Sequence, residues 1–242
     1  MENLLSNLTA PPLDNPSVHV WTISLLPPSN YTHLSEVLAT DERERAARFR
    51  LDHDQERFVI TRAALRFILG AYTREKAESV KFAYGNSGKP SLANPHSNLH
   101  FSVSHSHELA VIAIAKGRSV GIDIEQIRDD LEAEDLARRF FSAAEIAILE
   151  RVPPSERLTA FFRIWTGKEA FVKALGDGLA RPLNSFDVVL DAAGRPQLTG
   201  TRPDLQEMRR WTLHAVEIAE GYASSVAAEG AAEPILFAGN WE

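Results

Sequence analysis

Two stretches of this chain repeat one another. Gly88-Lys89-Pro90-Ser91-Leu92 and Gly194-Arg195-Pro196-Gln197-Leu198 match in order and spacing. Each follows an apolar segment, marked by Phe82 in one case and Val188 in the other. The surroundings match as well: a long helical pattern, a strand, the glycine–base–proline turn, then a pair of strands. That order predicts a duplicated α+β unit, two similar halves about a pseudo-two-fold axis. A ligand cleft falls naturally between two such halves.

Hydrophobic periodicity sets the elements. Val18–Ile23 alternates and predicts a strand. Phe58, Leu65, Ile68 and Leu69 recur at helical spacing, and Gly70 weakens that helix near its end. Strands are expected near Val80–Tyr84, Leu99–Val103, Leu109–Ala115 and Val120–Glu125, with a turn over Gly85-Asn86-Ser87-Gly88-Lys89-Pro90. Helices are expected near Glu134–Phe141, Ser142–Glu150 and Ser155–Leu175, then strands near Phe186–Leu190, Trp211–Ile218 and Tyr222–Ala228. The expected division is a loose tail over 1–17, a first half over 18–126, a second half over 127–230 and a tail over 231–242.

Composition closes off several chemistries. With no cysteine, the chain forms no disulfide, thiolate nucleophile or cysteine zinc site, which suits a reducing cytoplasm. The longest apolar run, Leu109 to Ala115, is far too short to span a bilayer, and Met1-Glu2-Asn3 opens no signal peptide. A formal charge of −7 argues against a nucleic-acid partner. Within this acidic chain, Arg43, Arg45, Arg48, Arg50, Arg57, Arg62 and Arg66 crowd one segment. Such a stretch is either a solvated helix face or a site for an anionic ligand.

Val120-Gly121-Ile122-Asp123-Ile124-Glu125 alternates strictly. In a strand, Val120, Ile122 and Ile124 share the core face, and Asp123 and Glu125 share the other. Gly121 is expected to leave open space beside them. Adjacent carboxylates repel unless a cation lies between. Mg²⁺ typically takes one or two carboxylates and completes its shell with water and phosphate. An acidic solvent-facing strand is the plain alternative. Trp165, Glu169 and Lys173 lie on one helix face by i, i+4, i+8 spacing. Gly167 inside this helix costs about 1 kcal/mol relative to alanine, which a close approach of a ligand or another helix would explain.

Together these residues resemble the Sfp-type 4′-phosphopantetheinyl transferases. The likeness rests on five blocks in order. They are Gly88-Lys89-Pro90, Phe101-Ser102-Val103-Ser104-His105-Ser106, Gly121 to Glu125, Arg139-Phe140-Phe141-Ser142 with Glu145, and Trp165 to Lys173 running on to Pro182-Leu183. The resemblance implies two α+β halves with coenzyme A bound between them. It implies Asp123, Glu125 and Glu169 as Mg²⁺ ligands and Lys173 beside the pyrophosphate. Ser104 and His105 are implied at the 3′-phosphate end, with His107 a rival to His105. Gly88, Lys89 and Pro90 are implied as the loop holding the nucleotide, and Arg45, Arg57 and Arg62 around the same phosphates.

The implied reaction moves the phosphopantetheine arm of coenzyme A to a serine of an apo acyl or peptidyl carrier protein. The resemblance further implies a monomer. Asp123, Glu169 and Lys173 carry the implied catalysis, and Arg139 and Phe140 fall in an expected docking segment for the carrier. Phe140 and Phe141 read equally as core. Two other classes stand against this. A nucleotide enzyme using ATP or GTP is disfavoured because Gly85 to Lys89 lacks the spacing of a phosphate loop and is followed by Pro90. A non-catalytic coenzyme A or carrier-binding module is disfavoured by the complete set of Asp123, Glu125, Glu169 and Lys173.

Overall fold

A computed structural model describes residues 8–26, 31–85, 88–94, 97–176 and 178–237. Asn86 and Ser87 of the expected turn lie outside these residues. The chain opens with β1 (Ser17–Ser24), followed by helices α1 (Thr40–Ala46) and α2 (Asp52–Thr73). A short hairpin, β2 (Phe82–Tyr84) and β3 (Pro90–Leu92), leads to β4 (Leu99–Ser106) and β5 (Leu109–Lys116). The pattern then restarts. β6 (Val120–Gln126) is followed by helices α3 (Ala133–Phe140), α4 (Ala143–Arg151) and α5 (Arg157–Leu175). The hairpin β7 (Phe186–Leu190) and β8 (Pro196–Thr201) comes next, then β9 (Trp211–Ala215) and β10 (Tyr222–Glu229). A final strand, β11 (Glu233–Phe237), ends the described chain. Among the described residues no helix is long and apolar enough to cross a membrane.

The duplication is visible in the strand pairing. One sheet runs β11-β1-β5-β4 and another runs β6-β10-β9. β1 pairs antiparallel with β5 as β6 pairs antiparallel with β10. The first unit is therefore β1 to β5 and the second β6 to β10. This moves the boundary from the expected 126 to the turn at Gly117–Ser119. Alternation identifies the two faces of β6 but not its hydrogen-bonded neighbour, which lies near the chain's end. Both tails also change. Leu13 is buried and Leu8 packs on the same core, so residues 8–16 are not loose. The region beyond 230 adds β11 parallel to β1, so the second half returns to the first half's sheet.

A second correspondence ties the halves more tightly than the turns do. Glu42 accepts from the Ala39 N–H at the start of α1 and pairs with Arg66 on α2 at 2.6 Å. Arg66 also donates to the carbonyls of Ala77 and Val80 and lies over the Phe82 ring. In the second half Glu145 accepts from the Ser142 N–H at the start of α4 and pairs with Lys168 on α5. Lys168 donates to the Phe186 carbonyl and lies over the Phe186 ring. Each unit thus joins its short helix, long helix and hairpin through one buried acid–base pair. Both pairs are fully enclosed, so losing one partner would leave an uncompensated buried charge.

Three apolar clusters fill the fold. Trp21, Ile23, Leu65, Ile68 and Ile112 form the first, and Phe161, Ile164, Phe171, Phe186 and Trp211 the second. Val18, Val20, Val111, Val120, Ile122, Ile124 and Val226 form a third between the two sheets. β1 and β5 therefore send alternate side chains to different cores. That accounts for the unbroken apolar run in β5.

Helix α5 lies directly on β6. A Cβ on Gly121 would stand 2.0 Å from the Ala170 carbonyl oxygen and 2.3 Å from the Ala174 nitrogen. The space beside the carboxylates is therefore filled by helix backbone, not open as expected. Gly167 has the same kind of cause. Its missing Cβ makes room for Val188, Pro196 and Leu213, so the hairpin and β9 approach there, not a ligand or helix. Gly121→Ala cannot be relieved by a side-chain shift. It should destabilise the fold by about 3 kcal/mol or more, which thermal unfolding reads as a loss of about 6–12 °C.

His19 on β1 is buried beside Tyr72 of α2, with Nδ1 2.6 Å from Tyr72 Oη. Trp21 Nε1 donates to the same oxygen at 3.1 Å, so the tyrosine proton is free to go to His19. Burial lifts Tyr72 to about 12 and pulls His19 below its ordinary 6.5, against a smaller opposing pull from Asp14. The stabilisation from neutral His19 is complete above the unfolded value of 6.5 and is lost as pH falls below it. Denaturant unfolding across this range should show stability falling with acid, and His19→Gln should remove that share of the slope.

Candidate functional site

The site forms where the edge of β4 meets β6. These strands belong to different sheets, and serine hydroxyls stand in for backbone pairing between them. Ser102 Oγ accepts from the Ile122 N–H at 3.2 Å. Ser104 Oγ donates to Asp123 Oδ1 at 2.8 Å. Ser106 Oγ donates to Glu125 Oε2 at 2.8 Å and accepts from the Gln126 N–H at 3.1 Å. Alternation puts all three hydroxyls on one side of β4.

Helix α5 completes the arrangement. Lys173 Nζ lies 2.7 Å from Asp123 Oδ1 and donates to Ser104 Oγ at 2.8 Å. Asp123, Ser104 and Lys173 thus form a closed triangle across both halves. Ser224 of β10 donates to the Asp123 carbonyl at 2.7 Å and fixes the backbone beneath. Asp123 Oδ2 is buried and has no hydrogen-bond partner among the described residues.

The electrostatics are those of too much negative charge. Burial raises the carboxyl of Glu125, and the Asp123 carboxylate raises it further. Glu169 is raised by the same two causes in the same order. Lys173 opposes both shifts without cancelling them. Among the described residues no three acidic or imidazole side chains close around one point as a metal cage. The unmet Oδ2 of Asp123 and the two raised neighbours do fit a hard cation held by one or two carboxylates and finished by water or phosphate.

A cavity of about 570 Å³ opens above these groups. Asp123, Glu125, Glu169, Lys173 and Trp165 line it from the second half; Arg45, Arg62, Tyr84, Ser104 and His105 line it from the first, with Gly88 and Pro90. A second cavity of about 590 Å³ shares Gly88, Pro90, Val103, Glu169 and Lys173 with it, so the two form one cleft. Its walls are more apolar, with Phe101, Phe140, Val172 and Leu183 beside Arg139 and Arg181.

Most of the expected residues meet in this cleft, but three have different surroundings from those expected. Arg57 lines neither cavity. Lys89 donates to the carbonyls of Val120, at 3.0 Å, and Lys173, so its ammonium ties the halves together. Burial, and then the charge of Lys173, lower it to about 8. The Ser104 hydroxyl is committed to Asp123 and Lys173. His105 is an exposed cleft residue, whereas its rival His107 occupies the β4–β5 turn at φ +52°. Phe141 is core, stacked on Phe161, whereas Phe140 packs edge-on against Trp165 and lines the cleft. Ser102, Ser106 and Tyr84 were not singled out in the sequence. The two serines had a signal in the Ser-x-Ser-x-Ser alternation of β4, but Tyr84 had none.

Comparison with known proteins agrees with this division. Residues 26–117 match the family described as 4′-phosphopantetheinyl transferase, N-terminal, and residues 119–227 match the 4′-phosphopantetheinyl transferase superfamily. The chain is similar to the 4′-phosphopantetheinyl transferase HetI of Nostoc sp. at 38% identity over 217 residues, covering 88% of each chain. It is 28% identical over 191 residues to the 4′-phosphopantetheinyl transferase Sfp of Bacillus subtilis, covering 79% of this chain and 82% of that one. A holo-(acyl-carrier-protein) synthase from Bacillus anthracis, solved in complex with CoA (3′,5′-ADP), aligns over 46% of this chain and 94% of its own, with 22% identity and a TM-score of 0.36. With both halves matched and a relative aligned along nearly its whole length, the chain belongs to the 4′-phosphopantetheinyl transferase family.

Proposed function

We propose that this chain transfers the 4′-phosphopantetheine arm of coenzyme A to a serine hydroxyl of an apo acyl or peptidyl carrier protein. The observation that carries this reading is the Asp123–Ser104–Lys173 triangle at the floor of a cleft whose other wall bears Arg45 and Arg62. The carrier serine oxygen forms a bond to the β-phosphorus of coenzyme A. The bond from that phosphorus to the bridging oxygen breaks, and adenosine 3′,5′-bisphosphate leaves with the electron pair. Substrate and leaving group are both strongly anionic, so alignment and charge stabilisation do most of the catalysis.

Asp123, with Glu125 and Glu169, would hold Mg²⁺, which when bound offsets charge on the pyrophosphate oxygens. Lys173 sets its ammonium beside Asp123 and adds a fixed positive charge. Arg45, Arg62 and His105 hold the nucleotide phosphates from the first half. Glu169, whose carboxyl is raised by burial, accepts the serine proton, directly or through a water. The more apolar arm of the cleft suits the pantetheine chain and the approaching carrier helix, with Phe140 and Arg139 at its edge.

One chain supplies both walls, so a monomer suffices. Coenzyme A chemistry and the absence of cysteine suit a cytoplasmic enzyme.

The test is to incubate the protein with coenzyme A, Mg²⁺ and an apo carrier, and to weigh the carrier by mass spectrometry. A gain of one phosphopantetheine unit is expected, abolished in Asp123→Ala. Retained coenzyme A binding with no gain on any carrier class would point instead to a binding module. A requirement for ATP or GTP would point to a nucleotide enzyme. Ser104→Ala leaves every charge in place but removes the hydroxyl that bonds to both Asp123 and Lys173. It should lower turnover by about 10–100-fold, as loss of a supporting hydrogen bond at a metal site does.

A further inference from the structure

The buried acid–base pair that recurs in the two halves is closed in one and open in the other. In the second half Glu145 Oε1 accepts from Lys168 and from the Val188 N–H, and Oε2 accepts from Ser142. In the first half Glu42 Oε2 is satisfied by Ala39 and Arg66. Its other oxygen, Oε1, has no hydrogen-bond partner among the described residues. Arg62 stands beside it with Nε at 3.4 Å, and the position four residues before the base of the closed copy is Ile164.

Arg62 is more than nine-tenths buried yet lines the cleft. It lies over the rings of Phe58 and Phe82, at 5.8 and 5.0 Å, and donates from Nη2 to Tyr84 Oη at 3.3 Å. Its Nη1 and the neighbouring Thr61 Oγ1 are buried without partners among the described residues. Two rings and a phenol set its plane, and Glu42 supplies the opposite charge at 3.4 Å. A guanidinium so placed is pre-ordered for an anionic oxygen and loses little freedom on binding it.

We infer that Glu42 is a positioning residue for substrate: through Arg62 it sets the affinity of the cleft for the phosphates of coenzyme A, while Arg66 spends the same carboxylate on holding the fold. This rests on the reading of the cleft as the coenzyme A site. Glu42 touches no substrate and takes no part in the chemical step. A purely structural Glu42 would change thermal stability and nothing else.

Coenzyme A binding to the full chain is measured by calorimetry, alongside steady-state kinetics and thermal unfolding, for wild type, Glu42→Gln, Arg62→Ala and the double variant. Glu42→Gln should weaken coenzyme A binding and raise its KM by about 10-fold, with kcat within about twofold of wild type and the KM for the carrier unchanged. The double variant should bind no worse than Arg62→Ala, because both changes remove one device. Should Glu42→Gln fail to fold, Glu42→Asp keeps a charge for Arg66, shortens the reach to Arg62 and carries the same expectation. Unchanged coenzyme A affinity in a folded Glu42 variant, or losses that add in the double variant, would overturn the inference. Failure of the wild-type chain to bind coenzyme A would overturn the underlying reading instead.

Discussion

Helix α5 rests on strand β6 at Gly121, and the geometry of the cleft floor follows from that contact. Ala170 and Ala174 stand where any side chain at 121 would go. Seating those turns on the strand brings Lys173 within 2.7 Å of Asp123. The carboxylate and the ammonium are thus positioned by backbone packing, before any attraction between them counts. Their attraction then works over a fixed distance, where it costs little side-chain entropy. A partly buried pair set this way differs from a surface ion pair, which spends most of its Coulomb gain on ordering two long side chains.

The seam beside this contact is built from small polar groups. Ser102, Ser104 and Ser106 bridge β4 to β6, and Lys89 bridges the first half's turn to carbonyls of β6 and α5. Every one of these bonds joins one half to the other. A change in the angle between the halves would therefore break them and separate Asp123 from Ser104 together. Binding geometry and domain geometry are in this sense one constraint.

Legibility in the sequence followed the range of the interaction. The strict alternation of Val120–Glu125 fixed which residues share a face, and the i, i+4, i+8 spacing put Trp165, Glu169 and Lys173 on one stripe; the cleft contains both sets. Local periodicity held no information about partners. It could not show that β6 pairs with β10, that β11 joins β1, or that Gly121 is covered by a helix. The same limit applies to Lys89 and Ser104. Resemblance assigned them to the nucleotide, whereas their hydrogen bonds run to Val120, Lys173 and Asp123. Lys168 and Glu145, inside the motif blocks, are structural, because burial on both sides leaves them no access to the cleft.

With the boundary at Gly117–Ser119, the groups lining the 570 Å³ arm of the cleft sort largely by half. Arg45, Arg62 and His105 come from the first unit, and Asp123, Glu125 and Glu169 from the second. Neither unit alone brings cationic side chains and the carboxylate cluster to one cleft. The carboxylates alone would repel a polyanionic substrate, and the arginines alone would bind it with nothing to complete the chemistry. Lys173 crosses this division in that arm, and it stands at the point where the two sets meet. Duplication supplied two copies of one scaffold, each braced by the same buried pair. In the 570 Å³ arm the arginines stand on the first unit's wall and the carboxylates on the second's. An acidic chain of net charge −7 can in this way present a local surface that attracts a polyanion.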